Sequence, residues 1–444
     1  MESGQVQDEK YANEVDLDCQ SLIVHYDDIR YMETNTRIVL QHDSFYLTWR
    51  NLSYSIKTRQ FSLLCKKEEK SLLIIDDISG YAKSGECLAI MGSSGAGKSV
   101  LLSLLADRIP RDNTTSLKGE VKLNKEFFTN KKFHHMTGFV MQSDYFFADM
   151  KVKEIFEFIV DLKYKRIRKS ERDQISNKML KSLKLEHIKD NYIGGMFRKG
   201  ISGGEKRRVN IGAELLPNPK ILFLDEPTSG LDSYTAFVII RLLKNIASEH
   251  NMLIIYSIHQ PTIDIFQLFD NLMILNKGKS LYFGKASNVL KHYSSFGVIP
   301  PLRVNPIQFI LDISLKGSEA IINQLLITNK NNVDILLQSI QSSIPSEPIR
   351  HPRTKANAIK QFRVLYKRAF WNYFRSPKVI KTRAIQTLML TLVFMLLYFQ
   401  IDDIDPSNPI SLTDRFGAFF FISVNLFMTN FGHTVLLCKL ISPY

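Results

Sequence analysis

The sequence predicts an α/β fold followed by α-helical membrane segments, and three observations carry that prediction. A glycine-rich loop, Gly92-Ser93-Ser94-Gly95-Ala96-Gly97-Lys98-Ser99, stands between an apolar run that reads as a buried strand (87–91) and one that reads as a helix (100–106). Other short apolar runs, above all Ile221-Leu222-Phe223-Leu224, end on polar or acidic residues, as parallel strands do at the ligand edge of a sheet. Uncharged apolar stretches of near-bilayer length are confined to the last ~60 residues.

In chain order, residues 1–40 are polar, lack periodicity and read as a flexible leader. With Glu2, Asp8 and Glu9 and no apolar core, that leader is not expected to be a cleavable signal. From Ser44 the pattern turns strand-like. Residues 45–49, 52–56 and 72–75 are rich in β-formers, with turns expected at Gly80 and Gly85, which predicts a small antiparallel sheet leaning on the core. Tyr54 reads first as a cross-strand aromatic, with an adenine ring stacked on it as the alternative.

The glycine-rich loop follows. Its glycines let the backbone fold back so that amides ring an anion, and the helix start adds partial positive charge. Gly92 through Ser99, together with Val100, form the candidate phosphate cradle, with Lys98 reaching terminal phosphates and Ser99 a magnesium ion. Residues 119–123 read as another strand, and 138–142 as a core strand that delivers Gln142 to the ligand edge. Val152 to about Leu216 reads as largely helical, with solvated charged faces such as 163–172.

Two later features sharpen this reading. Ser202 with Glu205 is a capping box, which accounts for those two positions. It does not account for Gly203 and Gly204, which leave the amides at the helix mouth open to a phosphate. Asp225 and Glu226 close the apolar strand at 221–224, and desolvated carboxylates need a cation or strong donors. After the turn at 227–232 come a helix through Ala247 and a strand at 253–257 that runs out at His259, a position that raises the case for a chemical role over a packed one.

Composition sets the outer bounds. A chain of 444 residues, 45% hydrophobic, supports two or three domains and a large core. The net charge of +14 fits either nucleic acid or a cytosolic face near anionic lipid; basic residues crowd ahead of the first apolar stretch, so membrane lipid is expected and nucleic acid is not. Cys19, Cys65, Cys87 and Cys438 lie far apart, which argues for a reducing setting over a metal site or disulfide framework.

Residues 316–358 are polar, include Pro345, Pro348 and Pro352, and read as a linker. Phe362, Tyr366, Phe370 and Phe374 recur at helical spacing beside Arg363, Lys367, Arg368 and Arg375, so 359–383 read as a basic amphipathic helix on a lipid surface. Two membrane helices are expected in 384–444, at about 384–401 and about 416–437. Asn425, Asn430 and His433 in the second should face protein or a cavity, with helix packing favoured over a transport path. Lys378, Lys381 and Arg383 ahead of the first span, against Asp402, Asp403, Asp405 and Asp414 between the two, orient the N-terminal domain to the cytosol.

Taken together and in order, the loop at 92–99, Gln142, Ser202-Gly203-Gly204-Glu205, Asp225-Glu226, Ser229-Gly230-Leu231-Asp232 and His259 resemble the nucleotide-binding domains of ABC transporters. Residues 201–208, Ser257-Ile258-His259-Gln260-Pro261, and Asn305-Pro306-Ile307-Gln308-Phe309 with Asp312 are similar to elements of the G (White/Brown) subfamily of half-transporters. Ile307 and Gln308 depart from its Asn-Pro-Ala-Asp-Phe wording. The resemblance spans roughly residues 40–440 and implies, over 41–315, a P-loop NTPase (RecA-like) core with an antiparallel β subdomain and a helical signature subdomain.

It also implies ATP and Mg2+ as cofactors. Lys98 and the loop amides would hold the phosphates; Ser99, Gln142 and Asp225 would arrange magnesium; Glu226 would be the general base, and His259 would contact the γ-phosphate. Ser202, Gly203 and Gly204 of a second subunit would close over that phosphate, with Asp232 at the seam. The implied function is export of a lipid-like or amphipathic substrate by a homodimer, or by a heterodimer with another half-transporter. The alternative is a membrane-tethered ATPase that binds or regulates a full-length partner. Such half-transporters have six spans and this sequence shows two, so the expectation is either a fragment or shortened product, or a protein that does not transport by itself. The family's adenine-stacking aromatic aligns with Ile56 instead of Tyr54. A soluble ABC-type ATPase acting on ribosomes or DNA is disfavoured by the single nucleotide domain and the lack of a heptad run.

Overall fold

The apolar runs become strands of two sheets in the computed structural model, which describes residues 44–61, 67–109, 111–143, 146, 148–195, 198–301, 304–345, 356–375, 377–397, 416–417 and 419–424. The chain divides into two units, 1–364 and 365–444. The strands of the first unit are β1 (Tyr46–Phe61), β2 (Lys67–Lys83), β3 (Cys87–Gly92), β4 (Thr115–Leu123), β5 (Glu126–Phe127), β6 (Thr137–Val140), β7 (Ile221–Leu224), β8 (Leu253–Ser257), β9 (Asn271–Asn276) and β10 (Lys279–Lys285).

One sheet is antiparallel, in the order β2-β1-β4-β5. The other runs β10-β9-β3-β8-β7-β6, parallel from β9 to β6 with β10 antiparallel at its edge. Strands β3, β7, β8 and β9 are buried along their whole length, which is why they read as continuous apolar runs without alternation. Alternate residues of β3 enter different cores: Cys87, Ala89 and Met91 one, Leu88 and Ile90 the other. The carboxyl ends of β3, β6, β7 and β8 point the loop, Gln142, Asp225-Glu226 and His259 to one edge of the sheet, where open α/β sheets bind ligands. The helices Val152–Lys163, Lys169–Ser182 and Gly203–Leu215 fill the segment expected to be helical.

Two local expectations are corrected. Gly80 does not turn the chain; it lies inside β2 opposite Trp49, and a Cβ there would stand 2.7 Å from Trp49 Cζ2, so the ring occupies the space. Gly85, at φ +82°, does turn. The strand expected at 119–123 is present, as part of β4 in the antiparallel sheet. Within the stretch read as a linker, Glu319–Gln341 form a long helix packed on β2 and β10 through Leu325, Asn329, Val333 and Leu337.

Asn305 caps the helix Pro306–Lys316 by accepting from Ile307 N at 3.0 Å, with Pro306 at the first helical position. Ala358–Arg375 and Pro377–Leu397 are helical, and Phe362, Tyr366, Phe370 and Phe374 are exposed. Of the first expected span, 384–397 lie in the second of these helices and 398–401 fall outside the described residues; of the second span, 416–417 and 419–424 are described, and are helical. The leader 1–40, the acidic loop, and Asn425, Asn430 and His433 likewise lie outside the described residues. Among the described residues no helix is long and apolar enough to cross a membrane.

Candidate functional site

The loop after β3 is shaped by what surrounds it. Gly92 has φ +154°, and a Cβ there would lie 2.4 Å from the Leu275 carbonyl oxygen of β9. Gly97, at φ +99°, leaves 2.8 Å between such a Cβ and Ile75 Cδ1. No side chain fits either position. Gly95, at φ +79°, faces open space, Ser93 is half-buried, Ser94 and Ser99 are exposed, Ala96 is buried and Val100 is half-buried. The loop runs into the helix Lys98–Leu105. Lys98 is 5% exposed, and its Nζ donates to the carbonyls of Gly92 at 3.0 Å and Ser93 at 2.9 Å. Burial pushes its ammonium below the usual lysine range, against the pull of Glu226 and Asp225.

The acids at the end of β7 join this loop through hydroxyls. Ser99 Oγ donates to Asp225 Oδ1 at 2.9 Å, and Ser257 Oγ, from the end of β8, donates to the same oxygen at 2.6 Å. Ser257 Oγ also accepts from Glu226 N at 2.8 Å, and Gln142 Nε2 donates to Glu226 Oε2 at 2.8 Å. Glu226 sits at φ +46°, the left-handed region, where a non-glycine residue is strained by about 1 kcal/mol or more. His259 is exposed just past the buried Ile258, next to Gln260 at φ +45°, and among the described residues no hydrogen bond joins it to this network.

The sequence reading missed two participants. Ser257 ends an apolar strand, the same signal that exposed Asp225. Arg207 sits in the basic run Lys206-Arg207-Arg208, which reads as solvated, yet it is 4% exposed and its guanidinium donates to backbone carbonyls at the ends of β6 and β7.

A second group lies at the mouth of the helix Gly203–Leu215. Ser202 caps it: its Oγ accepts from Glu205 N at 3.3 Å while Glu205 Oε2 accepts from Ser202 N at 2.7 Å. A Cβ on Gly203 would meet nothing within 4 Å, whereas one on Gly204 would stand 2.9 Å from Thr235 Cγ2. Thr235 belongs to the helix Ser233–His250, whose cap is Asp232, accepting from Thr235 N at 2.9 Å; that amide holds the Asp232 carboxyl below the usual carboxylate range. Among the described residues no hydrogen bond joins Ser202, Gly203 or Gly204 to the loop at 92–99. Tyr54 is 5% exposed, opposite Ile75 and Leu117, and burial raises its hydroxyl pKa, so its ring is enclosed in the core.

The residues present fit a nucleotide with magnesium. The loop is a cradle with one open glycine, and its buried lysine is already bonded to oxygens. Beside it, Ser99 and Asp225 offer the hard oxygen donors that magnesium takes. Among the described residues no group of three or more His, Cys, Asp or Glu could hold a metal alone. A cation here would therefore lean on Ser99, Asp225 and the oxygens of its nucleotide.

Comparison with known proteins agrees with this geometry. The ABC transporter profile matches residues 75–229, and two profiles described as ABC-2 type transporter match residues 259–325 and 360–439. ABC transporter G family member 18 of Arabidopsis thaliana is 35% identical over 85% of this chain and 56% of its own length. G family member 22 of the same plant is 40% identical over 61% of this chain and 35% of its own length. The broad substrate specificity ATP-binding cassette transporter ABCG2 of Rattus norvegicus is 32% identical over 86% of this chain and 62% of its own length. The chain thus spans between 35% and 62% of the length of these relatives. Agreement over about 85% of the chain, and not at one motif, assigns it: this protein belongs to the ABC transporters, in the G subfamily whose nucleotide-binding domain precedes an ABC-2 membrane domain.

Proposed function

We propose that this chain is the ATP-binding and ATP-hydrolysing subunit of a membrane half-transporter that works as a homodimer or heterodimer and moves a lipid-like or amphipathic substrate outward. The observation that carries the reading is the hydrogen-bonded series Ser99–Asp225–Ser257–Glu226–Gln142, which gathers two hydroxyls, two carboxylates and an amide at one sheet edge beside Lys98. Lys98 and the amides of Gly92 to Val100 bind the phosphates. Ser99, Asp225 and Gln142 would hold magnesium, which when bound supplies positive charge at the phosphate oxygens. Glu226 accepts the proton of the attacking water, its carboxylate aimed by Gln142, and His259 contacts the outermost phosphate.

Ser202, Gly203 and Gly204 close over the phosphates of another copy, with Asp232 at the seam. The open side of Gly203 supports this, since among the described residues nothing lies within 4 Å of a Cβ placed there. The exposed aromatic residues of the helix Ala358–Arg375 support a lipid-facing role, the ABC-2 match over 360–439 supports an integral membrane protein, and Lys378, Lys381 and Arg383 ahead of the first span support a nucleotide domain in the cytosol.

Changing Glu226→Gln keeps the size and hydrogen bonding of the side chain and removes its basicity. Hydrolysis should fall about 1,000-fold with ATP affinity within about threefold, and ATP-bound dimers should accumulate in sizing experiments. Undiminished turnover removes Glu226 as the base. Full turnover by monomers at high dilution removes the shared site.

A further inference from the structure

We propose that Arg207 is a positioning residue for Glu226 and that it links this base to the helix mouth serving the neighbouring copy; this rests on the reading of Glu226, Gln142 and Ser202–Gly204 proposed above. Arg207 lies just past the first turn of the helix Gly203–Leu215 and is 4% exposed. Its guanidinium donates to Asp225 O at 2.6 Å, Pro227 O at 3.2 Å, Met141 O at 2.5 Å and Gln142 O at 3.4 Å. Five N–H groups in one rigid plane let a single arginine hold several carbonyls at fixed angles, which a lysine cannot do.

The choice of carbonyls is the argument. Asp225 and Pro227 flank Glu226 on either side, and Glu226 is the residue at φ +46°. A strained backbone of this kind persists only where its surroundings hold it. The other two carbonyls belong to the end of β6, which carries Gln142, and Gln142 Nε2 donates to Glu226 Oε2 at 2.8 Å. One buried cation therefore fixes the backbone beneath both ends of the bond that aims the candidate base. The same helix begins at Ser202 and is closed there by Lys206 N donating to Ser202 O at 2.9 Å. A displacement of the Ser202–Gly204 mouth on meeting a partner's nucleotide moves Arg207 with it. Occupancy of one site thereby reaches the base of the other.

The test uses the full 444-residue chain in lipid nanodiscs as wild type, Arg207→Met and Arg207→Lys, each alone and combined with Glu226→Gln. Arg207→Met should lower kcat about 100-fold with KM and ATP affinity within about threefold, and Arg207→Lys should fall between it and wild type with a reduced Hill coefficient for ATP. Neither should slow the residual single-turnover rate of Glu226→Gln further, because no base is left to aim. An equal fall in the Glu226→Gln background overturns the proposal, as does wild-type kcat and cooperativity in Arg207→Lys. So does a rate loss that merely follows the folded fraction. If Arg207→Met fails to fold, Arg207→Lys decides by the same comparisons. A wild-type chain that neither binds nor hydrolyses ATP overturns the underlying reading instead, and the two failures are told apart by that control.

Discussion

The two glycine-rich corners of the nucleotide domain look alike in sequence and differ in what the fold asks of them. At 92–99 the chain needs its glycines: the Leu275 carbonyl and the Ile75 methyl fill the space where side chains on Gly92 and Gly97 would stand, and Gly95, though open to space, has a φ of +79°. At 203–204 only one glycine is needed. Gly204 is pressed on Thr235, while Gly203 has neither a positive φ nor a neighbour within 4 Å. The first corner is a wall that the chain builds for itself. In the second, one residue is left bare toward space that no described residue fills, which is the feature the proposed closing contact with another copy uses.

The largest effect that tests this contrast comes from Lys98. Its ammonium is buried against the carbonyls of Gly92 and Ser93, so Lys98→Ala should cost about 1 kcal/mol of stability by removing that donor while ATP affinity, measured by titration calorimetry, falls about 100-fold. Unaltered affinity would break the assignment of the first corner. Gly203→Val comes next: turnover should fall about tenfold with stability within about 0.5 kcal/mol of wild type. Its neighbour should behave in the opposite way. Gly204→Val should lower stability by about 1–3 kcal/mol in denaturant unfolding, because the new side chain meets Thr235. If the two variants lose stability equally, Gly203 is not bare in the sense argued.

This contrast also explains what could be read from the sequence. The loop at 92–99 was legible because its motif encodes backbone geometry directly, and Asp225 and Glu226 were legible because an apolar strand that ends in two acids is costly without a ligand. Arg207 and Ser257 were not, since their meaning lies in carbonyls and carboxylates contributed by other strands. Gly80 misled because a glycine marks either a turn or a close approach, and only the Trp49 ring across the sheet decides which. The helix Glu319–Gln341 was hidden by composition: one of its inward positions is Asn329, so the apolar stripe looks interrupted.

Asn329 supplies the smallest and most discriminating prediction. It is 4% exposed, and its Nδ2 donates to Ser280 O at 2.9 Å and to Ser280 Oγ at 3.1 Å, pinning the helix to β10. Asn329→Ala leaves those oxygens without that donor and should cost about 1 kcal/mol of stability, with turnover per folded molecule unchanged. A polar residue buried for the fold alone should behave in this way. Were Asn329→Ala instead to slow ATP turnover without moving the unfolding midpoint, this helix would have to be counted with Lys98 and Gly203. The division between residues that serve the fold and residues that serve a ligand would then not follow the lines that packing draws.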